Sequence, residues 1–81
     1  GIEVFPNPVH DRLNVRMNST KKDGLSLTLF DLSGKVVRQS SGPFEAGQSL
    51  EMELGSSVAP GKYLLYLQSG SDRWFKSVVV E

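Results

Sequence analysis

The sequence contains no cysteine. That removes disulfides, thiolate catalysis, cysteine-based zinc sites and redox motifs together. An extracellular domain of this composition must hold together by packing alone. His10, beside Asp11, is the only histidine, so no site built on two imidazoles can form. A Ser-His-Asp arrangement would have to choose among eleven serines, and the spacing singles out none. His10 therefore reads as a solvated turn residue. Charge of one sign is not in excess either. Nine Lys and Arg balance nine Asp and Glu, and Lys21-Lys22 is the longest basic run. A nucleic-acid binder replaces phosphate counterions with a basic patch or stripe, and none is visible here. A polybasic membrane patch is equally missing. No apolar run approaches the ~18 residues of a membrane helix. The segment Gly1-Ile2-Glu3-Val4-Phe5-Pro6 lacks the charged start and apolar stretch of a signal peptide. Any export signal is then expected upstream, in a longer parent, or in the domain itself.

What remains is one small domain. The chain has 81 residues and a mass of 8.9 kDa, within the usual range for a single domain. A chain of this size buries about 60% of the surface its unfolded form exposes. That leaves little room for an internal active-site cleft.

Apolar residues alternate with polar ones. Leu13, Val15 and Met17 oppose Arg12, Asn14 and Arg16. Leu25, Leu27 and Leu29 enclose Ser26 and Thr28, and Leu50, Met52 and Leu54 enclose Glu51 and Glu53. Period two is the mark of a half-buried strand. No stretch sustains a helical stripe. Turn residues punctuate the runs at Pro6-Asn7-Pro8, Lys21 to Gly24, Asp31 to Lys35, Gly42-Pro43, Gly47, Gly55-Ser56-Ser57, Pro60-Gly61 and Gly70-Ser71-Asp72. In the hairpin Asp31-Leu32-Ser33-Gly34-Lys35, Gly34 is expected at positive φ, as the left-handed residue of a type I turn plus bulge. About seven strands at this turn spacing predict an antiparallel β-sandwich. Its expected core is Leu13, Val15, Leu27, Leu29, Leu50, Met52, Leu54, Tyr63, Leu65 and Leu67. The runs Tyr63 to Leu67 and Val78 to Val80 are apolar almost throughout. Such runs suit central strands covered on both faces, or an edge that awaits a partner.

Chemistry finds little support. Glu51 and Glu53 share one strand face, as acid–base pairs can, but an ordinary wet face looks the same. Asp31 and Asp72 lack calcium-loop spacing, and phosphate-binding glycine patterns are missing. No cofactor and no metal are expected. Trp74, Phe75 and Tyr66 can stack on a sugar or a base. In a sandwich this small, the single Trp reads more simply as a core plug.

Four pieces stand in order: Val4-Phe5-Pro6-Asn7-Pro8, Leu29-Phe30-Asp31-Leu32-Ser33-Gly34-Lys35-Val36-Val37, Ala59-Pro60-Gly61-Lys62-Tyr63-Leu64-Leu65 and Lys76-Ser77-Val78-Val79-Val80. Together they resemble the C-terminal sorting domain of the type IX (Por) secretion system, type A. The resemblance implies a seven-stranded immunoglobulin-like sandwich over 1–81, the carboxyl-terminal part of a larger secreted protein. It implies folding in the periplasm of a Gram-negative bacterium and recognition by an outer-membrane translocon. It further implies delivery of the cargo to the cell surface or medium, and removal of the domain by a sortase-like cysteine peptidase, in many cases with attachment of the cargo to lipopolysaccharide. The domain itself would carry no catalytic residue. Gly1-Ile2-Glu3 then looks like the remnant of a linker. The pattern departs at Glu81, where the family often closes on a basic residue.

Under this reading Pro6, Asn7, Pro8, Asp31, Gly34, Lys35 and Gly61 serve backbone geometry. Tyr63 is expected in the core with its hydroxyl at the rim. Lys76, Ser77, Val78, Val79, Val80 and Glu81 are the candidate partner-binding residues, because an open final strand offers β-augmentation to the translocon. The same edge is expected to support some homodimerisation. The rival reading is a passive immunoglobulin- or fibronectin-like spacer, or a carbohydrate-binding module with Trp74, Phe75 or Tyr66 on one exposed face.

Overall fold

Every segment that alternates in sequence is a strand. The computed structural model describes residues 2–6, 8–17, 24–43 and 49–81. The strands are β1 (Ile2–Phe5), β2 (Arg12–Met17), β3 (Leu25–Phe30), β4 (Val36–Gly42), β5 (Ser49–Glu53), β6 (Gly61–Ser69) and β7 (Asp72–Val80). Among the described residues the only helical piece is a single 3-10 turn, Gly55–Ser57. The expected turn residues Asn7, Lys21, Lys22, Asp23 and Gly47 lie outside the described residues.

The strands form two antiparallel sheets, ordered β1-β2-β5 and β4-β3-β6-β7. The two face each other across one hydrophobic core. Parity explains the arrangement, because alternate side chains point to opposite faces of a sheet. Leu13, Val15 and Met17 from β2 meet Leu25, Leu27 and Leu29 from β3 and Leu65 and Leu67 from β6, and all are at most 2% exposed. Eight of the ten expected core residues are buried; Leu50 and Tyr63 are partly buried and pack against the rest. Leu50 lies on β5, an edge strand, where fewer neighbours cover it. Val9, Val58, Val78 and Val80 complete the core.

A two-sheet stack has two open sides. At the β4/β5 side, Arg38 crosses between the sheets. Its guanidinium donates to Leu54 O at 3.2 Å and to Ser57 Oγ, which ties β4 to the 3-10 turn. At the β1/β7 side the chain closes part of the gap itself. After the cis Phe5–Pro6 bond it leaves the edge of one sheet for the edge of the other. Val9, 1% exposed, forms an isolated parallel bridge with Val80.

Without a cross-link, the leucine core must supply the cohesion. Leu65→Ala, at the centre of β6, is expected to cost about 2 to 5 kcal/mol. That is a large share of the stability of a small domain, and a urea-denaturation midpoint will measure it.

Candidate functional site

The Asp31 hairpin is held from its first residue. Asp31 Oδ1 accepts from Ser33 N at 2.9 Å, Ser33 Oγ at 2.6 Å and Lys35 N at 3.0 Å. Its backbone N–H donates to Lys35 O at 2.9 Å, and its carbonyl accepts from Gly34 N at 3.0 Å. Gly34 has φ +90°, the positive value expected for it. The extra residue shows in the ladder. Leu29 pairs with Arg38 and Phe30 with Val36, which leaves Val37 unpaired between them. The Ser33 hydroxyl, then the Lys35 amide, hold the Asp31 carboxyl below its ordinary pKa. These contacts are local, so this motif builds a turn rather than a reactive centre.

Tyr63 is half-buried, and its hydroxyl donates to Ala59 O at 2.5 Å. Gly61 opens β6 opposite Val80. The paired carboxylates on β5 are occupied, because Arg12 Nε lies 3.0 Å from Glu53 Oε1 and 3.7 Å from Glu51 Oε1. His10 and Asp11 are exposed beside a shallow cleft that Glu81 also lines. Among the described residues no group of three or more His, Asp or Glu side chains could hold a metal ion.

The aromatics separate by parity. Trp74 shares the inner face of β7 with Val78 and Val80 and packs against the core. Phe75 turns outward and pairs across the strands with Tyr66, with ring centroids 4.9 Å apart.

The end of β7 is not the bare edge expected over Val78 to Val80. Val9 N donates to Val79 O and Glu81 N donates to Val9 O, both at 2.8 Å. The main chain there already has a partner. Val78 and Val80 are 3% and 2% exposed and serve the core. Lys76, Ser77, Val79 and Glu81 remain accessible. Because Val79 O and Glu81 N point away from β6, strand alternation points the main-chain groups of Ser77, Phe75 and Arg73 the same way. The free part of the edge therefore lies before the valines. It borders a cleft of about 380 Å³ lined by Val4, Phe5, Val9, Lys76, Ser77 and Val78, with other residues of β1.

Sequence reasoning overlooked Val9. An isolated valine between Pro8 and two polar residues offers one weak signal, which is its place directly after a proline-fixed turn.

Residues 3–81 match the family described as the secretion system C-terminal sorting domain. The chain belongs to that family. No curated protein sequence matches it significantly. The sorting domain is a C-terminal signal for type IX secretion, and the family acts as a signal rather than as a catalyst. Its partners are an upstream cargo and the type IX machinery, and its destination is the cell surface or the extracellular space.

Two outcomes follow for the hairpin. Gly34→Val forces a β-branched side chain to positive φ, and a cost of about 1 to 3 kcal/mol is expected in thermal unfolding. Asp31 has a lowered folded pKa, so its stabilising contribution is present above its ordinary pKa and is lost as pH falls through the lower folded value. An NMR titration of the Asp31 carboxyl is expected to give a midpoint below that of an unstructured peptide.

Proposed function

We propose that the sorting domain is recognised as a folded immunoglobulin-like sandwich and that the accessible part of the β7 edge is where the translocon engages it. The sheet order supports the first half. Relative to a constant-type immunoglobulin domain, the fourth strand has moved from the edge of one sheet to the edge of the other. Tyr63, at the start of β6 with its hydroxyl on a backbone carbonyl four residues upstream, has the form of a tyrosine corner.

The observation that carries the second half is the divided edge of β7. One end is capped by Val9. The other presents outward main-chain groups at Ser77, Phe75 and Arg73 beside an open cleft. An added strand would draw affinity from main-chain pairing and register from the side chains of Lys76, Ser77, Val79 and Glu81. Val78 and Val80 act here through the backbone and core. The same edge could pair with a second copy. Lys76, at an inner-facing parity on an edge strand, works against such pairing, so the homodimer is weak.

In this reading the domain is itself non-catalytic, folds in the periplasm, and covers 1–81 at the end of a larger secreted chain. A sortase-like cysteine peptidase cuts it from the cargo after translocation, with surface attachment of the cargo.

A reporter directed to the periplasm and fused ahead of residues 1–81, in a host with type IX secretion, is expected to reach the surface or the medium. Periplasmic retention of a folded fusion would overturn the reading. Ser77→Pro removes an amide that faces away from β6, so the β6–β7 ladder survives. Export is expected to fall while the melting temperature changes little. Normal export of a folded Ser77→Pro fusion would move recognition away from this edge.

A further inference from the structure

The outer faces of the two sheets differ in kind. On the three-stranded sheet, Arg12 bridges Glu51 and Glu53, and Arg16 approaches Glu3 at 3.9 Å. The outward aromatic there, Phe5, lies under the Arg16 guanidinium, 5.2 Å from ring to charge. Charge covers that face. On the four-stranded sheet it does not. Val36 pairs with Phe30 and Phe30 with Leu64. Tyr66 pairs with Phe75, and Val79 stands opposite Lys62. Antiparallel partners point to the same side, so these residues share one continuous outer surface.

The exposed large hydrophobic residues of the described chain are Leu32 (77%), Val36 (45%), Phe75 (61%) and Val79 (38%). Three lie on this face, and Leu32 is at the tip of the adjoining hairpin. Apolar residues scattered singly need no explanation, but a contiguous set marks an interaction surface. On the strands of this face the charges have one sign. The outward strand positions of this sheet include Lys62 and Arg73 and no acidic residue. At the hairpin Lys35 is offset by the Asp31 carboxylate, and Glu81 follows Val79 beyond the end of β7, so the cations that mark the face itself are Lys62 and Arg73.

We propose that this face is a second docking surface, which adjoins the β7 edge and shares Ser77 and Val79 with it. Its occupant is a protein of the secretion machinery that presents apolar side chains ringed by carboxylates. Charge complementarity selects that partner. A second copy docking face to face would set Lys62 and Arg73 against their own kind. A lipid surface is served by protruding apolar tips or amphipathic helices rather than by a broad strand face whose other half is Ser26, Ser41 and Gln68.

The proposal rests on the sorting reading, and the test separates the two. In the type IX host, export of the full cargo protein is compared for the intact chain, a deletion of residues 1–81, Phe75→Ser, and Lys62→Glu combined with Arg73→Glu. Ser49→Ala, on the opposite face, is the control. If the deletion leaves export intact, the sorting reading fails. If the deletion abolishes export, Phe75→Ser and the charge reversal are each expected to lower it about tenfold, as loss of a hot-spot contact does. The control stays normal. Purified variants must melt as the parent does; the charge reversal touches only exposed side chains and serves if Phe75→Ser fails to fold. Unchanged export from a folded variant overturns the proposal while sparing the sorting function. A photo-crosslinker at position 75, and not at 49, is expected to join a machinery protein at an apolar, acidic surface. Crosslinks only between copies, or only to lipid, overturn it.

Discussion

The contact between the leucine rows of the two sheets is the interaction on which everything else depends. Leu13 and Val15 on one side, and Leu27, Leu29, Leu65 and Leu67 on the other, are fully removed from water. No disulfide reinforces them. Burial of a leucine side chain contributes about 1.5 to 3 kcal/mol, and the entropy of ordering the chain offsets most of the sum. A domain held this way tolerates few polar intrusions between its sheets. The polar and charged work is displaced to the open sides and outer faces. At the β4/β5 side Arg38 keeps its charge at the rim while its hydrogen bonds join β4 to the connection between β5 and β6. At the β1/β7 side the protein uses Val9, an apolar residue that both fills the core and satisfies main-chain groups of β7.

This division makes one edge of the molecule different from the rest. Strand edges recruit other strands unless something blunts them. Here the blunting is partial. Val9 covers the valine end, Lys76 places a charge at an inner-facing position, and the stretch between Arg73 and Ser77 keeps outward main-chain groups. Next to that stretch, around the corner of β7, Phe75 and Val79 open onto the apolar outer face. The accessible edge and the uncovered face meet along one strand. A partner approaching β7 can therefore use main-chain pairing and side-chain burial together, two sources of affinity with different specificity rules.

Much of this was legible in the residues, and the reasons are local. Leu13-x-Val15-x-Met17 and Leu25-x-Leu27-x-Leu29 state their parity without help from the rest of the chain. Gly34 at the fourth place of Asp31-Leu32-Ser33-Gly34-Lys35 announces a positive φ because few other residues take one readily. What sequence could not give is pairing at a distance. Nothing near Pro8-Val9-His10 shows that Val9 meets Val80, since that contact depends on how two sheets stack and where their edges align. The side of β7 that holds Phe75 is a different case. In principle parity contained the answer: Trp74 shares it with Val78 and Val80, so Phe75 belongs with Val79. Trp74 is expected in the core, and only the carbohydrate-binding alternative, which groups it with Phe75 and Tyr66, conceals that split.

A signal domain faces a constraint that an enzyme does not. Its partner must distinguish it from other β-sandwiches, whose wet faces and blunted edges are chemically alike. A reactive group is of no use for that purpose. Surface features that a stable, passive sandwich would lose are of use, because each exposed apolar side chain or unpaired strand edge carries an aggregation cost. In this domain those costs are concentrated on β7 and the outer face it borders, while the opposite sheet is neutralised by Arg12 and Arg16. Spread evenly, the same residues would raise non-specific association without giving any partner a place to bind. Collected on one strand and one face, they give direction to the surface, and that direction is what a receptor for a folded signal can read.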